Sequence, residues 1–279
     1  MNYYIKRIVL ALTQWIPDKY YLQILHKVKV HRKLNLENPA TFTDKMQWLK
    51  LYDCQPQYHS YADKLTVRKY VKDRIGEDHL IPQIAVYNNP EEIVYEELPD
   101  RFILKCNHDS ASTLICLNKK DFDWKKAKIF LHKRQKLPFY LEGRENVYKG
   151  IKPLIICESF IGDDKPPMDY KVFCFHGKPR MIQVDQERFS DHKRVFYSTD
   201  WKLLNVHDDC PVGIEIEKPK CLKELLALSE KLSAGIRFVR ADFYVVDSQI
   251  FFGEMTFYPS AGFTPFFPEK EDRMLASWI

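Results

Sequence analysis

The stretch FVRADFYVVDSQIFFGEMTF, residues 238–257, admits very few folds. Apolar and polar residues alternate on both sides of Asp247-Ser248-Gln249, which predicts a β-hairpin with its loop at those three residues. That loop sets Asp242 opposite Glu254, Arg240 opposite Thr256 and Tyr244 opposite Phe252. Val239, Ala241, Phe243 and Val245 then share a face with Phe251, Gly253, Met255 and Phe257, and this apolar face belongs in a core. The other face gathers two carboxylates, an arginine and a hydroxyl. Like charges opposed across paired strands, with Cβ atoms about 5 Å apart, are destabilising unless something positive lies between them. Either Arg240 supplies that charge in a structural ion-pair cluster, or a divalent cation does. Mg2+ takes one or two carboxylates and fills its remaining positions with phosphate oxygens and water.

Glycine is scarce, nine in 279 residues, less than half the usual share of about 7%. No G-x-G-x-x-G and no G-x-x-x-x-G-K-[ST] occurs, which excludes the Rossmann fingerprint and the P-loop. A nucleotide here must be held another way. The length fits one large domain or two closely packed lobes. With 45% hydrophobic and 29% charged residues, disordered, collagenous and coiled-coil chains are excluded. The net charge of +5 is spread among interspersed signs. That argues against a dedicated nucleic-acid binder and fits an anionic small substrate or a membrane surface. Seven cysteines occur without a C-x-x-C. Cys106, Cys116, Cys157 and Cys174 lie in apolar runs and read as buried, reduced strand cysteines of a cytoplasmic protein, rather than a disulfide frame or zinc site.

No apolar run approaches the roughly 18 residues of a membrane span, and the short IVLAL stretch lacks the features of a secretory signal. Tyr4, Ile5, Ile8, Leu12 and Ile16 fall on one helical face. This predicts an amphipathic helix docked on the protein's own body by that face, with peripheral membrane contact as the alternative. Residues 1 to about 50 read as helical, with a start signal at Thr43. A second helix runs through ADKLTVRKYVKDRIG and stops at Gly76. After Pro82 come short strands: FILKCN and TLICL flank the polar loop HDSAS, and LIICESFI follows a lysine-rich helical stretch. DYKVFCF turns at His176-Gly177-Lys178 into PRMIQVD. A basic loop, Glu187 to Arg194, and the helix LKELLALSEKLSAG lead to the hairpin above. Helices first and antiparallel strands after them predict an α+β architecture.

Lys105 and Lys171 interrupt apolar strands, where an unpaired ammonium is costly. Lys64 and Arg68 lie one turn apart and repel slightly without an anion nearby. Singly, each is the kind of residue that snorkels or pairs locally. Together with two metal-type carboxylates they describe a polyphosphate site.

From Asn38 onward the chain resembles the ATP-grasp enzymes, specifically the branch named for teichuronopeptide biosynthesis (TupA-like). The resemblance is carried by NPATFTDKMQWLKLYD, YADKLTVRKYV, FILKCNHDSAS, DYKVFCFHGKPRMIQVDQERFSDHKR and FVRADFYVVDSQIFFGEMTF, in that order. It implies an ATP-grasp fold of two α+β lobes with antiparallel sheets, gripping ATP. Residues 46–279 would form this domain, preceded by a helical segment, 1–45. It also implies roles. Lys64 and Lys105 match lysines that hold the ATP phosphates. His108, Ser110 and Ser112 match the loop that closes over them. Glu158, Ser159, Phe160 and Ile161 match the segment that binds adenine. Lys171 matches a further nucleotide- or phosphate-binding lysine, Asp242 and Glu254 match the Mg2+ ligands, and Arg240 matches an arginine near the transferred phosphate.

Three departures from the branch stand out. Its loop tends to read HGSGS, whereas Asp109 and Ala111 replace both glycines here. Glycine gives that loop freedom and close approach to phosphate, and an aspartate adds repulsion, so the substitutions predict weaker or differently organised nucleotide binding. Thr256 stands where the common E-x-N pattern has asparagine, as is usual in the branch, which makes it a third metal-ligand candidate. ESFI replaces the typical EKYL. Separately, Arg188, His192 and Arg194 form a basic cluster that reads either as a solvated loop or as a receiver for an anionic acceptor such as a sugar carboxylate.

The resemblance implies an ATP- and Mg2+-dependent carboxylate–amine ligase. Its substrates would be a small-molecule or sugar-nucleotide carboxylate, such as a uronic acid, and an amine, in bacterial capsule or O-antigen polysaccharide biosynthesis. Two other readings use the same residues: a metal-dependent glycosyltransferase of the same pathway, and a non-catalytic nucleotide-binding scaffold.

Overall fold

The alternation of apolar and polar residues resolves into two antiparallel sheets. The computed structural model describes residues 3–188 and 190–279. Residues 1 and 2 of the expected helical segment, and Phe189 within the fourth resembling stretch, lie outside the described residues. In chain order the helices are α1 (Tyr3–Thr13), α2 (Asp18–Lys29), α3 (Phe42–Tyr52), α4 (Pro56–Ala62), α5 (Val67–Ile75), α6 (Trp124–Gln135), α7 (Tyr140–Gly143), α8 (Leu222–Ser233) and α9 (Glu269–Ser277). The strands are β1 (Gln83–Tyr87), β2 (Phe102–Cys106), β3 (Leu114–Cys116), β4 (Ile155–Ser159), β5 (Asp169–Phe175), β6 (Lys178–Gln186), β7 (Lys193–Ser198), β8 (Phe238–Val246) and β9 (Gln249–Thr256). The expected α+β class is the observed one.

Two compact units divide the chain. The first comprises Met1–Pro17, Gln55–Lys69 and Ile81–Pro166, and the second comprises Asp18–Cys54, Tyr70–Leu80 and Pro167–Ile279. In the first, a four-stranded sheet has the order β1-β4-β2-β3, antiparallel throughout. Phe102, Leu104, Cys106, Cys116, Ile155 and Cys157 point to one side and pack with Leu131 of α6. Burial pushes the Cys106 and Cys157 thiols up to about 12, as expected of inert core cysteines. In the second unit a five-stranded sheet has the order β7-β6-β5-β8-β9. The Phe42 ring at the start of α3 meets the rings of Phe173, Phe238 and Phe266, with centroids 5.0–6.4 Å away.

Several local expectations shift. Thr41, not Thr43, caps α3: its hydroxyl accepts from the Asp44 amide at 3.3 Å and donates to the Asp44 carboxylate at 2.7 Å. Thr43 is buried beside His26 and Arg32. The single helix expected through ADKLTVRKYVKDRIG is two, because the Asp63 carboxylate accepts from the Leu65 amide and ends α4 in a turn that holds Lys64. Gly76 does terminate α5, at φ +106°, where a side chain would be strained. The segment expected as a basic loop ends in a strand, β7, so Arg194 is a sheet residue paired opposite Asp185.

The face of α1 also differs. Tyr4, Ile5, Ile8 and Leu12 are exposed and Ile16 is partly covered, while Leu10 on the other side packs against Leu137 and Leu141. A Lys6–Glu142 ion pair at 2.6 Å and an Arg144 hydrogen bond to the Thr13 carbonyl at 2.7 Å fasten that inner side.

Phe42→Ala removes the ring at the centre of an aromatic cluster. It is expected to cost about 3–5 kcal/mol, read as a lower denaturant midpoint with little change in the slope of the transition.

Candidate functional site

The β8–β9 register is observed as expected up to the carboxylates: Arg240 pairs with Thr256, Ala241 with Met255, and Asp242 with Glu254. Beyond them it slips by one residue. Phe243, not Tyr244, faces Phe252, and the turn is the two-residue Asp247-Ser248, both at positive φ. The extra residue is Gly253, where an added Cβ would lie 3.1 Å from the Asp242 carbonyl oxygen. The bulge thus places Phe252, rather than Phe251, in the core.

The polar face of this sheet is larger than the hairpin alone. Lys171, on the central strand β5, lies opposite Asp242 on one side and Gln183 on the other. Only 2% exposed, its ammonium donates to Asp169 at 2.5 Å and Asp242 at 2.9 Å, and Asp185 lies 3.8 Å away. Arg240 grips both oxygens of Asp242, at 2.7 and 2.6 Å, and reaches the Thr256 hydroxyl at 3.3 Å. That hydroxyl lies 3.3 Å from Glu254 Oε1, to which it can donate. Arg188 pairs with Asp169. Arg194 takes Asp185 at 2.6 Å and also Asp208, and His192 Nε2 stands 3.3 Å from Asp185.

Burial drives the Asp242 carboxyl upward against the opposing pull of Arg240 and Lys171. For Asp185, burial also acts upward, but Lys171 and Arg194 outweigh it and hold the acid far below the usual range. Arg240 is held more firmly protonated by Asp242, against the effect of its own burial.

Asp169 and Asp185 were missed as site residues. The signal was present: Asp169 is two residues before Lys171, hence on the same face, and strand pairing sets Asp185 directly opposite it. The network so defined joins Lys171, Arg188, Arg194 and Arg240 to Asp169, Asp185, Asp208 and Asp242, with Glu254 reached through Thr256. Asp169 Oδ1 is buried and accepts no hydrogen bond. Among the described residues no three His, Cys, Asp or Glu side chains form a metal cage. Mg2+ does not need one, since a carboxylate pair plus phosphate oxygens is its usual site. The oxygen-only set Asp242, Glu254 and Thr256, in a network with an orphaned carboxylate oxygen, fits that ion.

The first unit holds the other candidates in two groups. Lys105 on β2 pairs with Glu158 on β4 at 2.5 Å, and Arg68 approaches the same carboxylate at 3.5 Å. Ser159 ends β4, its amide bonded to the Pro82 carbonyl, and Phe160 and Ile161 follow it, partly buried. The Lys64 ammonium donates to the Asp109 carbonyl. Asp109 itself is buried: its side chain accepts from Ser112 at 2.5 Å and from Arg134 of α6 at 2.6 Å. Arg134 also holds the Ser110 carbonyl at 2.5 Å. Ala111 takes φ +61°, a backbone setting that favours glycine. The replaced glycines therefore yield a loop tied down by side chains, and the aspartate's charge is met by Arg134 rather than turned outward. His108 is buried, and burial pushes its imidazole down despite Asp109, so it is neutral near pH 7. Nothing in the sequence pointed to Arg134, whose partner lies 25 residues away.

The profile of the family described as TupA-like ATPgrasp matches residues 44–279. No curated protein matches the sequence. Among solved structures, the chain is similar to a D-alanine–D-alanine ligase from Bacillus anthracis complexed with ATP, at 17% identity and TM-score 0.39, covering 70% of this chain and 53% of that one. It is also similar to the D-alanine–D-alanine ligase of Helicobacter pylori, at 14% identity and TM-score 0.41, covering 81% and 62%. A third is the RimK domain ATP-grasp protein of Sphaerobacter thermophilus, at 12% identity and TM-score 0.41, covering 71% and 58%. The chain spans between half and two thirds of the length of these structures.

Two outcomes follow for the charge networks. Arg134→Ala strands a buried carboxylate and is expected to cost about 3–5 kcal/mol, most of it recovered when Asp109→Gly is added, as chemical denaturation of the single and double variants will show. The depressed Asp185 acid contributes stability that is complete above its unfolded value of about 3.9 and fades as pH falls below it. Asp185→Asn should therefore lower the urea midpoint at pH 7, and its gap from the unaltered protein should narrow below about pH 4.

Proposed function

The chain belongs to the TupA-like ATP-grasp family, and from that membership we propose that it is an ATP- and Mg2+-dependent carboxylate–amine ligase. Lys64, Lys105, His108, Ser110 and Ser112 bind the ATP phosphates, and Glu158, Ser159, Phe160 and Ile161 receive the adenine. Asp242, Glu254 and Thr256 hold Mg2+, which neutralises charge on the phosphates. A substrate carboxylate oxygen attacks the γ-phosphorus, ADP leaves, and an acylphosphate forms. The amine nitrogen then attacks the acyl carbon, phosphate leaves, the amine proton passes to solvent, and an amide remains. Lys171 and Arg240 neutralise the charge that builds on the transferred phosphoryl group, so catalysis is largely positioning and electrostatics.

The observation that carries this reading is the opposition of Asp242 and Glu254 beside Lys171 and Arg240. Arg188 and His192 are the more exposed of the three basic candidates and bind the acid substrate. Arg194, committed to Asp185 and Asp208, positions the strand beneath them. The substrate class, a uronic acid joined to an amino acid or amine in surface-polysaccharide biosynthesis, rests on the resemblance to the teichuronopeptide branch.

Incubation with ATP, Mg2+, a uronic-acid sugar nucleotide and a panel of amines should release ADP and yield a product heavier than the acid by the amine minus water. Asp242→Asn, nearly isosteric, should cut that rate by about a hundredfold or more while keeping the circular dichroism of the fold. No ADP from any acid–amine pair would overturn the reading.

A further inference from the structure

Both N-terminal helices turn an apolar row to solvent. On α1, Tyr4, Ile8 and Leu12 recur every four residues, flanked by Ile5 and Trp15, with Leu12 73% and Trp15 84% exposed. On α2, Tyr20, Ile24 and Val28 recur at the same spacing and are 58–63% exposed. Among the described residues, nine of the twenty-one exposed large apolar side chains fall between Tyr4 and Val28. A soluble surface scatters such residues singly, and a concentration of them marks an interaction face.

Charge is concentrated in the same segment. Residues 1–34 contain Lys6, Arg7, Lys19, Lys27, Lys29, Arg32 and Lys33 against Asp18 alone, a net charge of +6, whereas the other 245 residues sum to −1. We propose that α1 and α2 each dock on an anionic bilayer surface, lying in the interfacial plane with their apolar rows at the acyl boundary and the exposed Arg7, Lys19, Lys27 and Lys29 among the headgroups. Tyr and Trp suit that boundary, since each is apolar in its ring and polar at its edge. Spanning is excluded: no helix among the described residues is long and apolar enough to cross, and 11 residues of α1 extend only about 17 Å. Charge selects lipid over a second copy of this chain, because self-association through either helix would bring its own basic side chains together.

Flotation of the full chain with phosphatidylcholine vesicles, with and without phosphatidylglycerol, tests this. Binding is expected only with the anionic lipid, weakening as salt is raised. It should fall at least about tenfold in Leu12→Glu/Trp15→Glu and, independently, in Lys27→Glu/Lys29→Glu. All four side chains are exposed or partly so, and unchanged thermal melts will show that the variants fold. Failure to float with anionic vesicles, or binding that neither pair weakens, would overturn the proposal. So would a dimer in light scattering that Leu12→Glu/Trp15→Glu converts to monomer without loss of flotation.

Discussion

The Lys171 ammonium in the middle of the five-stranded sheet is the constraint around which the second unit is arranged. A charge buried to that degree is tolerable only when paired and hydrogen-bonded, and Asp169 on the same strand and Asp242 on β8 meet that requirement. Each of those acids needs further cations, which brings in Arg188 and Arg240. The Lys171–Asp242 pair thereby ties the register of β8 to β5. Sliding β8 by one residue against β5 would carry Asp242 into the apolar face and Ala241 into the charged one. The same alternation that buries Val172, Ala241 and Phe243 aims the acids and bases to the opposite side.

Such a network is weak evidence for stability. Replacing buried ion pairs by well-packed apolar residues is often neutral or stabilising, and a sheet needing only to fold would do as well with valines at these positions. Its cost is better explained by chemistry. The orphaned Asp169 oxygen leaves a buried acceptor unmet, where a purely structural cluster would tend to satisfy its own members. The first unit is arranged differently. There Lys105 and Arg68 share Glu158, Arg134 meets Asp109, and Arg134 holds the polar loop between β2 and β3 in place. Glycines would have given that loop freedom; side-chain bonds give it a single shape.

How far these features were legible depends on the distance over which they are determined. Asp242 against Glu254 follows from alternation within one hairpin, and both were read correctly. Counting failed one pair further on because an inserted residue is invisible to a period-two rule, although a lone glycine inside a strand, Gly253, is the usual mark of such a bulge. Asp169 and Asp185 were recoverable by stepping two residues from Lys171 and crossing to the partner strand. Arg134 was not, since its meeting with Asp109 depends on how α6 packs beneath the sheet. The α1 helix shows the opposite limit: amphipathicity was plain, but the row Tyr4, Ile8, Leu12 and the inner residue Leu10 are all apolar, so hydropathy could not say which side is covered. Lys6 and Arg144 decide it, through partners far away in sequence.

The distribution of charge changes what the overall composition means. A net charge of +5 on the whole chain suggests a general attraction for anions, yet the excess resides within the first 34 residues, and the remainder is close to neutral at −1. Exposed charges are screened beyond roughly 8 Å at physiological ionic strength, so an excess confined to one segment acts mainly on its own surroundings. Attraction to phosphate or carboxylate must come from the cations at the site itself. At Asp242 those cations are already spoken for by acids, which makes the balance between Lys171, Arg240 and their carboxylates the quantity that sets affinity: an incoming anion gains only what it can win from Asp169 and Asp242, unless it arrives with a cation of its own.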